Sequence, residues 1–149
     1  MHVALETARQ PEVIALIAEL DAYQDSLYPA EARYALDLDA LCQPEVLFAV
    51  ARDAQGVARG CAAVVLRTTH GELKRMYVQP AARGAGLARQ ILQVLEDAAR
   101  ARGCPQLLLE TGPYQPEALA FYAGRGYVRR GPFGDYPDHP LSVFMGKQL

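Results

Sequence analysis

The stretch Gln79–Gly103, "QPAARGAGLARQILQVLEDAARARG", changes the hydrophobic period of the chain. Before it, apolar residues alternate or run in short blocks. After Gly86, Leu87, Ile91, Val94, Leu95 and Ala98 recur at helical spacing, with Ala88, Leu92 and Ala99 beside them. Gln90, Gln93, Glu96, Asp97 and Arg100 are expected to cover the solvent face. Gly103, with Pro105 beyond it, closes the helix. Two glycines and an arginine, Arg83-Gly84-Ala85-Gly86, stand immediately before the helix start. A turn needs glycine for ordinary reasons. A glycine-bearing turn at a helix N-terminus is also an anion site, because unpaired amides and the positive dipole end point outward there. Arg83 would add a charge-assisted contact.

Working outward, "LKRMYV" (73–78) reads as the strand that feeds this turn, with Leu73, Arg75 and Tyr77 on one face and Lys74, Met76 and Val78 on the other. "EVLFAVARD" (45–53) and "GCAAVVLRT" (60–68) precede it through short connections, as an antiparallel meander does. "HVALET" (2–7) is a first strand. Pro11 opens a helix with Val13, Leu16, Ile17 and Leu20 on one side. "LYPAEARYALDLDALCQP" (27–44) reads as a short second helix with Tyr34, Leu38 and Leu41 aligned. Beyond the central helix, "QLLLET" (106–111) is a buried strand, "QPEALAFYAGRGY" (115–127) a helix, and the remainder two strands around a Pro- and Gly-rich loop. The order β-α-α-β-β-β-α-β-α-β-β describes an α+β fold, a mostly antiparallel central sheet flanked by helices, in one domain over residues 1–149.

Composition narrows the function. The chain is 51% apolar, with a formal net charge of −2 and interspersed signs, so it has no basic footprint for nucleic acid. No apolar run reaches membrane-spanning length, and "MHVALETARQ" lacks a secretory leader pattern, so a cytoplasmic protein is expected. Cys42, Cys61 and Cys104 are odd in number and far apart, suggesting neither disulfides nor a structural metal. The glycine turn lacks the Lys-Ser/Thr of a Walker loop and the third glycine of a dinucleotide fingerprint.

The turn resembles the acyl-CoA pyrophosphate loop of the GNAT superfamily of N-acetyltransferases: Gln or Arg, two residues, Gly, one residue, then Gly or Ala. Arg83, Gly86 and Ala88 occupy those places. "MYVQP" (76–80) is similar to the family's strand ending in Val with Pro soon after, and Ala118, Tyr122, Gly126 and Tyr127 stand in register with its late helix. Gln115 departs from the Asn common there. The resemblance is specific over Glu72–Tyr127.

It implies acetyl-CoA as cosubstrate and direct acetyl transfer to a primary amine of a small molecule. It implies Met76, Tyr77 and Val78 along the pantetheine arm, and Arg83, Gly84, Ala85, Gly86, Leu87 and Ala88 around the pyrophosphate, with Gln115 nearby. Tyr122 is the implied acid. Its reference pKa, near 10, is not far from a thiol's, about 8.5. Glu72 is the candidate base acting through water, with Glu110 as competitor, free to pair with Arg75 or Lys74 instead. Acceptor contacts fall to Tyr28, Glu31, Arg33, Tyr34, Glu110 and Tyr136. Acids there suit a cationic amine, and Arg33 a carboxylate. Protein or peptide acetylation, or a CoA-binding regulatory module, are the rival readings. The resemblance also admits a homodimer.

Overall fold

The structure is a computed structural model, and it describes residues 1–32 and 37–149. The strands are β1 (His2–Leu5), β2 (Val46–Arg52), β3 (Ala58–Leu66), β4 (Gly71–Val78), β5 (Gln106–Thr111), β6 (Val128–Arg130) and β7 (Val143–Gln148). The α-helices are α1 (Pro11–Leu27), α2 (Leu38–Leu41), α3 (Leu87–Ala101) and α4 (Pro116–Gly124), with single 3-10 turns at Ala30–Ala32 and Pro80–Ala82. One sheet runs in the order β1-β2-β3-β4-β5-β7-β6. Every neighbouring pair is antiparallel except β4 with β5.

The expected element order is therefore found, with three corrections. Within 27–44 the described residues form a 3-10 turn and a separate short helix. Asp37 starts α2 afresh by accepting the Ala40 amide at 2.8 Å, the ordinary work of an N-cap. The Tyr34 position lies outside the described residues. Next, strict alternation fails along β4. The register steps from Cys61↔Tyr77 to Ala63↔Lys74, so one residue of β3 opposes two of β4. Arg75 absorbs the bulge with φ of 61°, a left-handed conformation unusual for a residue with a side chain. Leu73 and Val78 consequently share the core beneath α3, while Tyr77 packs with the α1 core on the other face. Finally, Glu96 is not on the solvent face of α3 but buried, at 3% exposure.

The two sheet faces carry separate cores. Leu87, Ile91, Leu92, Leu95 and Ala99 of α3 pack on Ala49, Ala62, Val64, Leu107 and Leu109. Val13, Leu16 and Leu20 of α1 pack on Phe48, Val50, Cys61 and Ala63. A third cluster of Leu108, Phe133 and Phe144, with Tyr136 against it, seats the 131–142 loop. Leu95 is fully enclosed, so Leu95→Ala should lower the unfolding free energy by about 2–5 kcal/mol, read by urea denaturation. That anchorage fixes where the N-terminus of α3 points.

Candidate active site

β4 and β5 pair only over Gly71–Leu73 and Leu107–Leu109. Beyond these residues they separate, because the bulge at Arg75 and the turn after Val78 carry β4 away. The gap is a cleft of about 510 Å³. Met76, Tyr77 and Val78 line one wall; Leu109, Glu110, Thr111 and Gly112 line the other. Arg83, Gly84 and Ala88 stand at one end, and Tyr28, Glu72, Lys74 and Tyr136 at the other. Gln115, Ala118, Phe121 and Tyr122 of the α4 segment close over it.

The turn before α3 is built to leave donors open. Gly84 and Gly86 have φ of 89° and 76°, so a side chain at either place would be strained. Gly86 is the N-cap of α3 and offers no side-chain bond to the first turn, which also carries no acid. The other described α-helices differ: α1 has Glu12 in its first turn, α4 has Glu117, and α2 has the Asp37 cap and Asp39. α1 and α4 also lack a side-chain cap, but α3 alone of the four has neither a side-chain cap nor an acid in its first turn. Arg83 folds back instead of reaching outward. Its Nε donates to the Val78 carbonyl at 2.9 Å, and its guanidinium lies 5.9 Å from the Tyr77 ring centre. A second cavity, about 540 Å³, adjoins the turn. It is lined by Arg83, Arg89 and Arg125, and no acid among the described residues borders it. Arg89 in α3 and Arg125 just past α4 carry no motif, so neither leaves a signal in the sequence.

Tyr122 lines the cleft and is 6% exposed. Burial pushes its hydroxyl above the ordinary phenol value, so it keeps its proton through neutral and mildly alkaline pH. Phe121 and Tyr127 pack on its ring, at centroid distances of 5.3 and 5.7 Å.

At the far end, Glu72 is buried. It accepts a short hydrogen bond from the Tyr136 hydroxyl and lies 3.2 Å from Lys74 Nζ and 3.5 Å from Arg67. Lys74 also donates to Tyr136 at 2.7 Å. Burial, then the Glu72 bond, raises the Tyr136 hydroxyl pKa. Arg75 pairs with Asp21 of α1. The opposite wall is Tyr28. Its hydroxyl accepts the Tyr114 amide at 3.1 Å and donates to Gln115 Oε1 at 3.3 Å, and its ring stacks on Tyr114. Gly112 makes this seat: a Cβ there would stand 1.9 Å from the Tyr28 hydroxyl.

Most of the expected residues meet in this cleft. Glu31 does not; it is exposed on the 3-10 turn and contributes nothing to the lining. Arg33 lies outside the described residues, as Tyr34 does. Leu87 puts its side chain into the core, at 2% exposure, leaving only its backbone to the turn. Ala85 is exposed at the apex of the turn. Gln115 accepts the Tyr28 hydroxyl, so the residue that departs from Asn is tied to this wall of the cleft.

A split between two parallel strands, ending at an uncapped glycine turn, is an architecture for an elongated anionic ligand that threads between strands. Residues 13–127 match the model of the Acetyltransferase (GNAT) family. The chain is 48% identical over 149 residues to a protein named IAA acetyltransferase of Azospirillum brasilense, covering 99% of this chain and 97% of that one. It is 35% identical to the uncharacterized N-acetyltransferase YsnE of Bacillus subtilis, over the whole of both chains. The crystal structure of a Klebsiella pneumoniae protein described as an acyl-CoA N-acyltransferase superposes with a TM-score of 0.85 at 40% identity, covering 99% and 97%. The chain belongs to the GNAT acetyltransferase family. It is an acetyl-CoA-dependent acyltransferase, and the uncapped α3 amides, the left-handed glycines and the split strands fit that cosubstrate. Among the described residues no helix is long and apolar enough to cross a membrane.

Proposed function

We propose that this protein transfers the acetyl group of acetyl-CoA directly to a primary amine of a small molecule. The observation that supports a small acceptor is the walled end of the cleft. Tyr28 is clasped to Tyr114 and Gln115 on one side, and Tyr136 is locked to Glu72 and Lys74 on the other. A peptide substrate would need an open channel there. Three free cysteines support a reducing, cytoplasmic setting.

Acetyl-CoA supplies an activated carbonyl and a thiolate leaving group. In this reading the amides of Gly86–Ala88 hold the pyrophosphate, and the edge of Met76–Val78 orients the arm. Tyr122 gives its proton to the sulfur as the bond to the carbonyl carbon breaks. Burial raises the tyrosine's pKa, which keeps the proton on the hydroxyl until charge develops on the sulfur. The amine attacks as the neutral base and loses its extra proton after the new C–N bond forms. Glu72 takes that proton through water. Its contacts with Lys74 and Tyr136 hold the carboxylate in place at this end of the cleft.

Two results are expected. With Tyr122 held protonated, kcat/KM should climb with pH as the amine deprotonates, and no descending limb should appear below a pH of about 10, the reference tyrosine value. A pH–rate profile checks this. A falling limb near pH 8 in kcat/KM would point to a different acid. Separately, Gly112→Ala should expel Tyr28 from its seat. Acceptor KM should rise by roughly 10-fold or more through misplacement of the wall, while CoA affinity, measured by calorimetry, changes little. Equal losses in both would place Tyr28 in the cosubstrate site instead.

A further inference from the structure

Glu96 lies in the body of α3 with its side chain 4% exposed. It accepts the Tyr127 hydroxyl at 2.9 Å and the Lys147 ammonium at 2.9 and 3.2 Å. A buried ion pair is weak evidence for stability, since a well-packed apolar substitute often does as well. Its placement suggests another task. Tyr127 stands two residues past Arg125, the C-cap of α4, and closes the end of that helix. Its N–H bonds the Tyr122 carbonyl at 3.0 Å, and the Gly126 N–H bonds the Ala123 carbonyl at 3.1 Å. Gly126 has φ of 94°. These are the paired bonds of a Schellman motif, with its accompanying contact made by the Tyr127 and Tyr122 rings, 5.7 Å apart at 63°.

Lys147 completes the clamp. A Cβ on Gly126 would lie 3.5 Å from the Lys147 Cε, so the lysine stem runs past the glycine. Its ammonium stands 5.7 Å from the Tyr127 ring centre. One carboxylate therefore fixes the residue that holds Tyr122 by main chain and by ring. That carboxylate sits on α3, the helix whose first turn forms the anion site.

We infer that Glu96 is a positioning residue for transfer: acting through Tyr127, it sets where the Tyr122 hydroxyl stands in the cleft and ties it to the helix that holds the cosubstrate. This rests on the reading of Tyr122 as proton donor. Tyr127→Phe keeps the ring and the ion pair and removes only the bond to Glu96. It should lower kcat by roughly 10-fold, the scale of a small misplacement, with CoA dissociation constant and melting temperature nearly unchanged. Glu96→Leu should lose rate likewise, and Glu96→Gln, which still offers an oxygen to Tyr127, should restore most of it.

The deciding measurement is a double-mutant cycle with Tyr122→Phe, which also serves if Tyr127→Phe proves unstable and Glu96→Leu takes its place. In the Tyr122→Phe background the second substitution should cost no further rate. The same fold-loss in both backgrounds, or no loss in the parent, would overturn the positioning role alone. A Tyr122→Phe enzyme with normal kcat would overturn the donor reading, and this inference with it.

Discussion

Gly86→Val is expected to weaken CoA binding by roughly 10²-fold, the loss of one or two hydrogen bonds from amides to a charged group. The substitution acts where the ligand would lie and not on the core. Gly86 is exposed, and a Cβ there meets only the Arg89 guanidinium, at 3.7 Å. Valine in a backbone with φ of 76° carries its own strain, about 1–2 kcal/mol. That is tolerable against the usual 5–15 kcal/mol of a folded domain. Calorimetric CoA affinity and thermal denaturation, measured on the same preparation, separate the two effects. A folded variant with parental CoA affinity would return the turn to an ordinary helix start.

Tyr122→Phe should lower kcat by about 10²-fold, the low end for general acid catalysis. The ring contacts with Phe121 and Tyr127 survive, so folding and CoA affinity should hold. The loss belongs to the chemical step, because the hydroxyl matters only as charge develops on sulfur. Single-turnover rates on the preferred acceptor test it. A parental rate with chemistry limiting would leave Tyr122 as packing alone.

Local signals in the chain were read well where one physical cause dominated. The period shift after Gly86 placed α3 at Leu87, and the uninterrupted apolar run 106–111 is β5 residue for residue. The parallel pairing of β4 with β5, which the sequence does not single out, goes with the α3 crossover between the two strands, and the cleft opens where that pairing ends. What failed were features set by tertiary partners. The bulge at Arg75 depends on β3 across the ladder, so alternation along "LKRMYV" misassigned Leu73 relative to Tyr77. Glu96 looked solvent-facing because a carboxylate on a helix usually is; Tyr127 and Lys147, 31 and 51 residues away, bury it. Other contacts carry no local signal: Arg83 fits the phosphate pattern by spacing, and its Nε donates to the Val78 carbonyl. Glu72, the candidate base, is enclosed by Lys74 of its own strand and by Arg67 and Tyr136 from loops on either side of it in sequence.

The most direct test of the account is release of free CoA thiol from acetyl-CoA with panels of small primary amines, amino acids and short peptides, scored with Tyr122→Phe alongside. The account predicts thiol release that depends on a small amine, matches the acetylated product one for one, and falls in the variant. Tight CoA binding with no acceptor-dependent release from any panel, or release driven only by the peptides, would contradict it.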